Sequence, residues 1–206
     1  MTPTIDYFLT TTSPWTYLGH DLLVQTAKRH GAEIRWRPMQ LASVFKETGG
    51  VPLKQRPPAR QHYRFVELKR WRVIRALPLN LQPAHFPTDP ALADRCAVAL
   101  AEDGVDPAGF LARAFRAVWV HEQDIADEQT LEPLLADAGH EARDVIARAR
   151  SEEIGAAYER NTREAVERDV FGAPTYILNG EPFWGQDRID LLDAALESGR
   201  APYLPE

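Results

Sequence analysis

The sequence predicts an α/β protein in which a βαβ unit and a ββα unit are separated by a large all-helical insertion. Short runs of β-branched and aromatic residues occur at 5–9, 33–38 and 174–184, near the two ends of the chain. Residues 59–168 carry helical patterns with several breaks and contain neither repeats nor low-complexity segments. We therefore expect one domain over residues 1–206, with the insertion at 59–168 inside it.

The first unit begins with a buried strand at 5–9. Ser13 and Pro14 then form a strong helix-start signal, because serine is a favoured N-cap and proline suits the first helical position. Gly31 ends that helix, and the alternating residues 33–38 predict a second strand closed by a proline. A strand–helix–strand connection of this kind is right-handed when the two strands are parallel, as we expect here.

The middle of the chain is predicted to be helical after one long loop. Residues 39–58 contain two adjacent glycines and several prolines, which indicates a loop, and a helix is expected over about 59–77. Further helices follow from residue 90 to residue 168, with breaks near 104–107, 125–128 and 139–140.

The end of the chain returns to strands. A strand at 174–178 and a second at 181–184 flank Asn179-Gly180, a typical hairpin turn, and a last helix is expected over about 188–196. This order of elements is that of a thioredoxin-like core interrupted by helices. The inserted helices would help to wall the active cleft.

Composition and charge exclude several classes of protein. The net charge of −6 argues against broad nucleic-acid binding, and no apolar run reaches the roughly 18–20 residues that span a membrane. The start of the chain lacks an export signal, so we expect a cytoplasmic protein. Cys96 is the single cysteine, in an apolar helical context that predicts a buried structural thiol. The six histidines lack metal-ligand spacing, so no metal is expected.

The corner between the first strand and the first helix is the strongest candidate for a functional site. A hydroxyl at Ser13 would lie beside unpaired backbone N–H groups and the positive end of the helix dipole, where an anion is stabilised. Taken alone, Ser-Pro is an ordinary helix cap. Thioredoxin-like proteins carry Cys-x-x-Cys at this corner, but residues 13–16 read Ser-Pro-Trp-Thr, so disulfide exchange is excluded there.

Three motifs resemble one known family. They are Ser-Pro-Trp at 13–15 after a strand, Val-Phe-Gly-Ala-Pro-Thr at 170–175 and Phe-Trp-Gly-Gln-Asp-Arg at 183–188. Together they resemble the kappa-class glutathione transferases and, among these, the 2-hydroxychromene-2-carboxylate isomerases. The insertion adds Ala-Val-Trp at 117–119 and Asp-Ile at 124–125. The resemblance implies a DsbA-type thioredoxin fold that binds glutathione.

Family members use the serine at this corner to hold the glutathione thiolate, and the resemblance assigns that catalytic role to Ser13. The assignment agrees with physical chemistry, because a helix N-terminus and a hydrogen-bond donor lower the pKa of a thiol from its usual value near 8.5. Further binding positions implied by the resemblance are Pro14, Trp15, Gly50, Arg60, Glu67, Ala173, Pro174, Gln186 and Asp187.

Ala173-Pro174 and Gln186-Asp187 are open to plainer interpretations. The resemblance predicts a cis-proline at 174, with the Ala173 backbone pairing to the cysteinyl part of glutathione; the alternative is a proline that simply starts a strand. Gln186 and the Asp187 backbone would hold the γ-glutamyl carboxylate, and the plainer account makes Asp187 only a helix N-cap. The two accounts of Asp187 are compatible.

The basic segment from residue 54 to residue 75 is most simply a solvated helix face. The resemblance adds that Arg60 matches a lysine that contacts glutathione and that Glu67 matches an acidic residue that meets its ammonium group. Arg60 could bind a carboxylate with two hydrogen bonds, and Arg60 and neighbouring cations could hold the carboxylate of the substrate. Gly50 stands where the family usually has asparagine, so a polar anchor is missing.

The resemblance implies a homodimeric, glutathione-dependent isomerase acting on aromatic carboxylates, with Glu67 serving the partner subunit's site. Glutathione thiolate adds to a conjugated carbon, a bond rotates or a ring opens, and elimination returns glutathione. A conjugating transferase and a non-catalytic glutathione-binding module remain as alternatives. Four aromatic residues could line either the cleft or the core: Trp15, Tyr17, Trp119 and Trp184.

Overall fold

In the computed structural model, which describes residues 2–204, the chain begins with the expected βαβ unit. Strand β1 (Thr4–Leu9) and strand β2 (Glu33–Pro38) are parallel, and helix α1 (Pro14–His30) connects them. Ser13 is the N-cap of α1, and Gly31 ends the helix with φ of 61°. Both helix-end predictions are confirmed.

Helices fill the chain between β2 and β3. They are α2 (Leu41–Thr48), α3 (Pro58–Ile74), α4 (Ala91–Glu102), α5 (Ala108–Trp119), α6 (Glu128–Asp137), α7 (Ala142–Ala149) and α8 (Glu152–Glu167). The three predicted breaks fall between α4 and α5, between α5 and α6 and between α6 and α7. The loop prediction for 39–58 is wrong over α2, and α3 ends three residues before the predicted 77.

Helix α2 forms because its apolar face is covered by the core. Its Val44 is fully buried in a cluster that also contains Phe8, Met39 and Ala165. Gly49 then ends the helix with φ of 76°. Burial against residues distant in the sequence outweighs the loop-forming composition of the segment.

The ββα unit closes the sheet. Strand β3 (Thr175–Leu178) is antiparallel to β1 and β4 (Glu181–Trp184) is antiparallel to β3, so the strand order is β2-β1-β3-β4. Asn179 and Gly180 have φ of 53° and 90°, the left-handed values that a two-residue hairpin requires. A short 3-10 turn, Gln186–Arg188, leads into helix α9 (Ile189–Ser198). The predicted α/β fold class is confirmed.

Strand β1 is central in the sheet and its residues are buried from Ile5 to Leu9. Cys96 is fully buried in α4, as predicted, and burial raises the pKa of its thiol to about 12. None of the helices between residues 2 and 204 has both the length and the hydrophobicity that crossing a membrane requires.

Candidate active site

A cleft of about 1300 Å³ opens beside the β1–α1 corner and is lined by residues from both the sheet and the helical insertion. Nearly all the predicted site residues line it: Ser13, Pro14, Trp15, Gly50, Arg60, Glu67, Ala173, Gln186 and Asp187. Pro174 is buried behind Ala173 and does not line the cleft.

Ser13 lies at the centre of this arrangement, at the N-terminus of α1. Its hydroxyl accepts a hydrogen bond from the Thr16 N–H at 3.2 Å and donates one to the Ala173 carbonyl at 3.1 Å. The side chain lines the cleft although the residue is only 6% exposed. This largely buried residue, at the positive end of a helix, therefore forms part of the cleft wall.

The Ala173–Pro174 peptide bond is cis, as predicted. The Ala173 carbonyl accepts from Ser13, whereas the Ala173 N–H has no hydrogen-bond partner within residues 2–204. An unpaired N–H beside the cleft can pair with the backbone of an extended peptide.

Gln186 is fixed by an arginine that the sequence did not single out. Arg75, at the end of α3, donates from Nε to the Gln186 side-chain oxygen and from a terminal nitrogen to the Gln186 carbonyl, each at 2.8 Å. Asp187 accepts from Arg188 at 2.6 Å and lies inside the 3-10 turn, so it is not an N-cap. Within residues 2–204 the N–H groups of Gln186 and Asp187 have no partner, which suits a carboxylate.

The four ambiguous aromatic residues divide into two pairs. Trp15 and Trp184 line the cleft, and Trp184 packs edge-on against Phe171 with 4.6 Å between ring centroids. Trp119 is fully buried, and Tyr17 is buried with its hydroxyl donating to the Pro78 carbonyl at 2.7 Å. The cleft therefore has aromatic surface on the side of the ββα unit.

Helix α3 presents Arg60 and Glu67 to the cleft. Arg60 is exposed, and within the described part of the chain it has no ion-pair or hydrogen-bond partner through its side chain. Glu67 accepts from Arg70 at 2.5 Å and from the Trp71 indole at 3.3 Å. The hydrogen bond from Arg70 is the main cause that lowers the pKa of Glu67, so this carboxylate is negative at neutral pH.

Gly50 lies against the ring of Phe45. A Cβ at position 50 would be 2.1 Å from Phe45 Cδ1, so a side chain fits there only if the ring moves. Phe45 itself lines the cleft. At this position the cleft therefore has the aromatic ring of Phe45 and no polar side chain from residue 50.

Sequence reasoning missed Asp94, the carboxylate that anchors the loop before Ser13. Fully buried in α4, Asp94 accepts from Thr10 Oγ1 at 2.9 Å, from Thr11 N and Oγ1 at 2.8 Å each, and from the Tyr158 hydroxyl at 2.9 Å. A signal was available in the threonines before Ser13, which need acceptors when buried. The position of the acceptor, more than 80 residues later, could not be read from the sequence.

The described residues contain no cluster of side chains that could bind a metal ion. Within residues 2–204 no three side chains of His, Cys, Asp or Glu converge as a metal site. The polar groups of the cleft are instead hydroxyl, amide, carboxylate and guanidinium groups, which suit an organic ligand with carboxylates and amides.

Comparison with known proteins finds relatives over nearly the whole chain. Residues 4–197 match the family model described as a DSBA-like thioredoxin domain. A 2-hydroxychromene-2-carboxylate isomerase of Sphingobium xenophagum is 30% identical over 198 residues, covering 95% of this chain and 99% of that protein. Glutathione S-transferase kappa 1 of Caenorhabditis elegans is 25% identical over 212 residues, covering 95% and 91%.

A solved structure of a 2-hydroxychromene-2-carboxylate isomerase superposes with a TM-score of 0.80 at 26% sequence identity. The match covers 95% of each chain, so it extends through the sheet and the inserted helices alike.

Proposed function

Since the chain belongs to the family of DSBA-like thioredoxin domains, in the group that contains 2-hydroxychromene-2-carboxylate isomerases and kappa-class glutathione transferases, we propose that it is a glutathione-dependent isomerase of aromatic carboxylates. Its relatives are enzymes that act on small molecules. The finer assignment is supported by the chemistry of the cleft.

The observation that carries the proposal is the environment of Ser13. Its hydroxyl accepts a hydrogen bond from the Thr16 N–H and donates one to the Ala173 carbonyl. When a thiolate lies in the cleft, the Ser13 O–H could donate its hydrogen bond to the sulfur instead of to this carbonyl. The released Ala173 carbonyl, together with the Ala173 N–H, could then pair with a peptide backbone. One internal hydrogen bond would be exchanged for several to the ligand.

Bound glutathione would supply a thiolate that adds to a conjugated carbon of the substrate, permits rotation and is then eliminated. The chain's own residues would prepare this chemistry. Ser13 and the N-terminus of α1 stabilise negative charge on sulfur, and each unit by which they lower the pKa of the thiol corresponds to about 1.4 kcal/mol. Gln186, held by Arg75, and the N–H of Asp187 bind the γ-glutamyl carboxylate.

A conjugating transferase is the second candidate, because the same cleft would serve it and a kappa-class relative matches over the same length. The two reactions differ in whether glutathione is consumed. An isomerase returns glutathione unchanged, whereas a transferase consumes one molecule for each thioether formed. Incubation with 2-hydroxychromene-2-carboxylate and limiting glutathione distinguishes isomer from thioether by mass.

The test of the proposal is the pKa of the bound thiol in the wild type and in Ser13→Ala, followed as thiolate absorbance near 240 nm against pH. Ser151→Ala is the matched control, because Ser151 caps α8 through the same kind of bond, to the Ile154 N–H at 3.3 Å, and lies outside the cleft. Both variants should lose about 0.5–2 kcal/mol of stability. Only Ser13→Ala should raise the pKa of the thiol and slow turnover, by about tenfold or more.

Wild-type protein that fails to bind glutathione contradicts the proposal as a whole. Coincident titration curves for the wild type and Ser13→Ala, with turnover intact, contradict the catalytic role of Ser13. If Ser151→Ala loses turnover as well, the slower turnover of Ser13→Ala would be explained by lower helix stability and not by loss of a contact to the thiolate.

A further inference from the structure

Several arginines on the side of the insertion line the cleft without an ion pair to a carboxylate. Within residues 2–204 this holds for Arg56, Arg60 and Arg64, and also for Arg95 of α4, which donates to the Ser151 carbonyl at 2.8 Å. The first three lie on or just before helix α3. Arg70, on the same helix α3, does form an ion pair, with Glu67 at 2.5 Å. Arg56, Arg60 and Arg64 thus lack an ion pair, whereas Arg70 on the same helix and Arg188 across the cleft each have one.

Arg64 differs from the other two because it is buried. The residue is 8% exposed, and among the described residues its guanidinium has no hydrogen-bond acceptor. It lies 5.8 Å from the ring centroid of Phe65 and 5.6 Å from that of Phe86. Burial and the nearby Arg56 lower the pKa of Arg64 to about 10, so it is still a cation at neutral pH.

An arginine with so little exposed surface normally has an acidic partner. Arg64 has none, and its nitrogens are not among the fully buried unpaired polar atoms of residues 2–204, so its guanidinium group remains accessible from the cleft. Aromatic faces replace such a partner only in part, because a cation–π contact contributes about 0.5–2 kcal/mol. A ligand carboxylate would complete the site, since the planar guanidinium can donate two parallel hydrogen bonds to the two oxygens of a carboxylate. The aromatic wall of Phe86 beside it suits an acid attached to a ring.

The cleft has two halves of different chemistry. Ser13, Ala173 and Gln186 come from the β1–α1 corner and the ββα unit and carry the groups proposed to bind glutathione. Arg64 comes from α3, and Phe86 from the segment that follows it, so these two belong to the insertion. Arg60 and Glu67, also on α3, are assigned to glutathione, so it is the aromatic surroundings of Arg64 that favour the other reactant, an anion attached to a ring.

We infer that Arg64 is the residue that binds the carboxylate of the aromatic substrate, with Arg56 as a second positive charge and Phe86 as the wall for the ring. The inference rests on the proposed function and deepens it by naming the residue that selects acids over neutral compounds. Arg60, exposed at the rim, is left to glutathione.

The experiment compares two unreactive probes, chromane-2-carboxylate and chromane-2-carboxamide, by calorimetric titration with and without saturating glutathione. The wild type should bind the carboxylate about tenfold to a hundredfold more tightly than the amide, as expected for hydrogen bonds to a charged group. Arg64→Met should abolish this preference and leave glutathione affinity within about twofold. Arg64→Lys, which keeps the charge and is a second route if the Met variant fails to fold, should retain only part of it.

Arg72→Met is the matched control on the same helix. Arg72 donates to the Leu79 carbonyl at 3.3 Å and does not line the cleft, so its loss should leave the preference for the carboxylate unchanged. Equal affinity of the wild type for the two probes overturns the inference, as does a preference that survives Arg64→Met. Weakened glutathione binding in Arg64→Met with the preference intact also overturns it, since Arg64 would then hold a carboxylate of glutathione.

The two proposals can fail separately. If the protein prefers the carboxylate through Arg64 but binds no glutathione, the anion site is supported and the proposed function is contradicted. If the protein binds glutathione and lowers the pKa of its thiol but does not discriminate between the probes, the proposed function is supported and the role of Arg64 is contradicted.

Discussion

Gly50 shows how a single residue of the cleft depends on its neighbour. The ring of Phe45 occupies the volume into which a Cβ at position 50 would point, with Cδ1 at 2.1 Å and Cγ at 2.5 Å. These ring atoms are close to the backbone of α2 and cannot swing away as the end of a long side chain could. Gly50 and Phe45 therefore form one packing unit.

Gly50→Ala should destabilise the protein by about 1–3 kcal/mol, the usual cost of overpacking, as measured by urea unfolding. Gly109→Ala is the matched control, because the nearest atom to its Cβ is the mobile end of Arg113 at 3.6 Å; in helix α5 it should stabilise by about 0.5–1 kcal/mol. Adding Phe45→Leu to Gly50→Ala should recover part of the loss. Strictly additive effects of the two substitutions would show that they are not one unit.

Among the elements, the β1–α1 corner depends on helices that come much later in the chain. Asp94 of α4 receives hydrogen bonds from Thr10 and Thr11 in the corner and from Tyr158 of α8. The loop that ends at Ser13 is thereby tied to the insertion. We infer that the insertion fixes the β1–α1 corner as well as walling the cleft.

Asp94 also makes stability depend on pH. Burial raises its pKa from 3.8 to about 6 despite the hydrogen bonds that lower it, so the folded protein holds this proton more tightly than the unfolded chain. The stability contributed is full below about pH 4 and is lost as the pH rises through about 6, at up to about 1.4 kcal/mol per pH unit. The free energy of unfolding of the wild type minus that of Asp94→Asn should therefore fall between pH 4 and pH 7.

In urea unfolding at neutral pH, Asp94→Asn should still be less stable than the wild type by about 1–3 kcal/mol, because its amide group cannot accept from all the buried donors. Asp137→Asn, at an exposed position on α6, should show no comparable difference at any pH. A difference between the wild type and Asp94→Asn that is constant or rises with pH would show that Asp94 does not titrate in this range.

The same elements show what the sequence can and cannot predict. The start of α1, the end of α1 and the Asn179-Gly180 turn are specified by residues within one or two turns, and all three are as predicted. Helix α2 was missed because it depends on burial of Val44 against distant residues. Asp94 was missed for the same reason, and Arg64 was not singled out among the cations near Arg60, since the surroundings of both residues form only when separate elements meet.

For the molecule as a whole, helix α3 presents an apolar surface to solvent. Tyr63, Val66, Val73 and Ile74 are exposed on it, the last two at 74% and 62%. Glu67, on the same helix, lines the cleft of its own chain, so a subunit packed on this surface would lie beside the site. The homodimer implied by the family resemblance is therefore best placed on α3.

Val73→Asp tests this arrangement by sedimentation at micromolar concentration. A charge buried in an isologous interface meets its symmetry mate or an apolar partner, so the dimer should dissociate to a monomer while each subunit stays folded. Leu191→Asp is the matched control, an exposed leucine at 56% on α9, and should sediment as the wild type does. If glutathione binds across the dimer near Glu67, its affinity should fall together with the dimer fraction. A monomeric wild type would contradict the predicted dimer. A dimer that is dissociated by Leu191→Asp but not by Val73→Asp would show that the interface lies on α9 and not on α3.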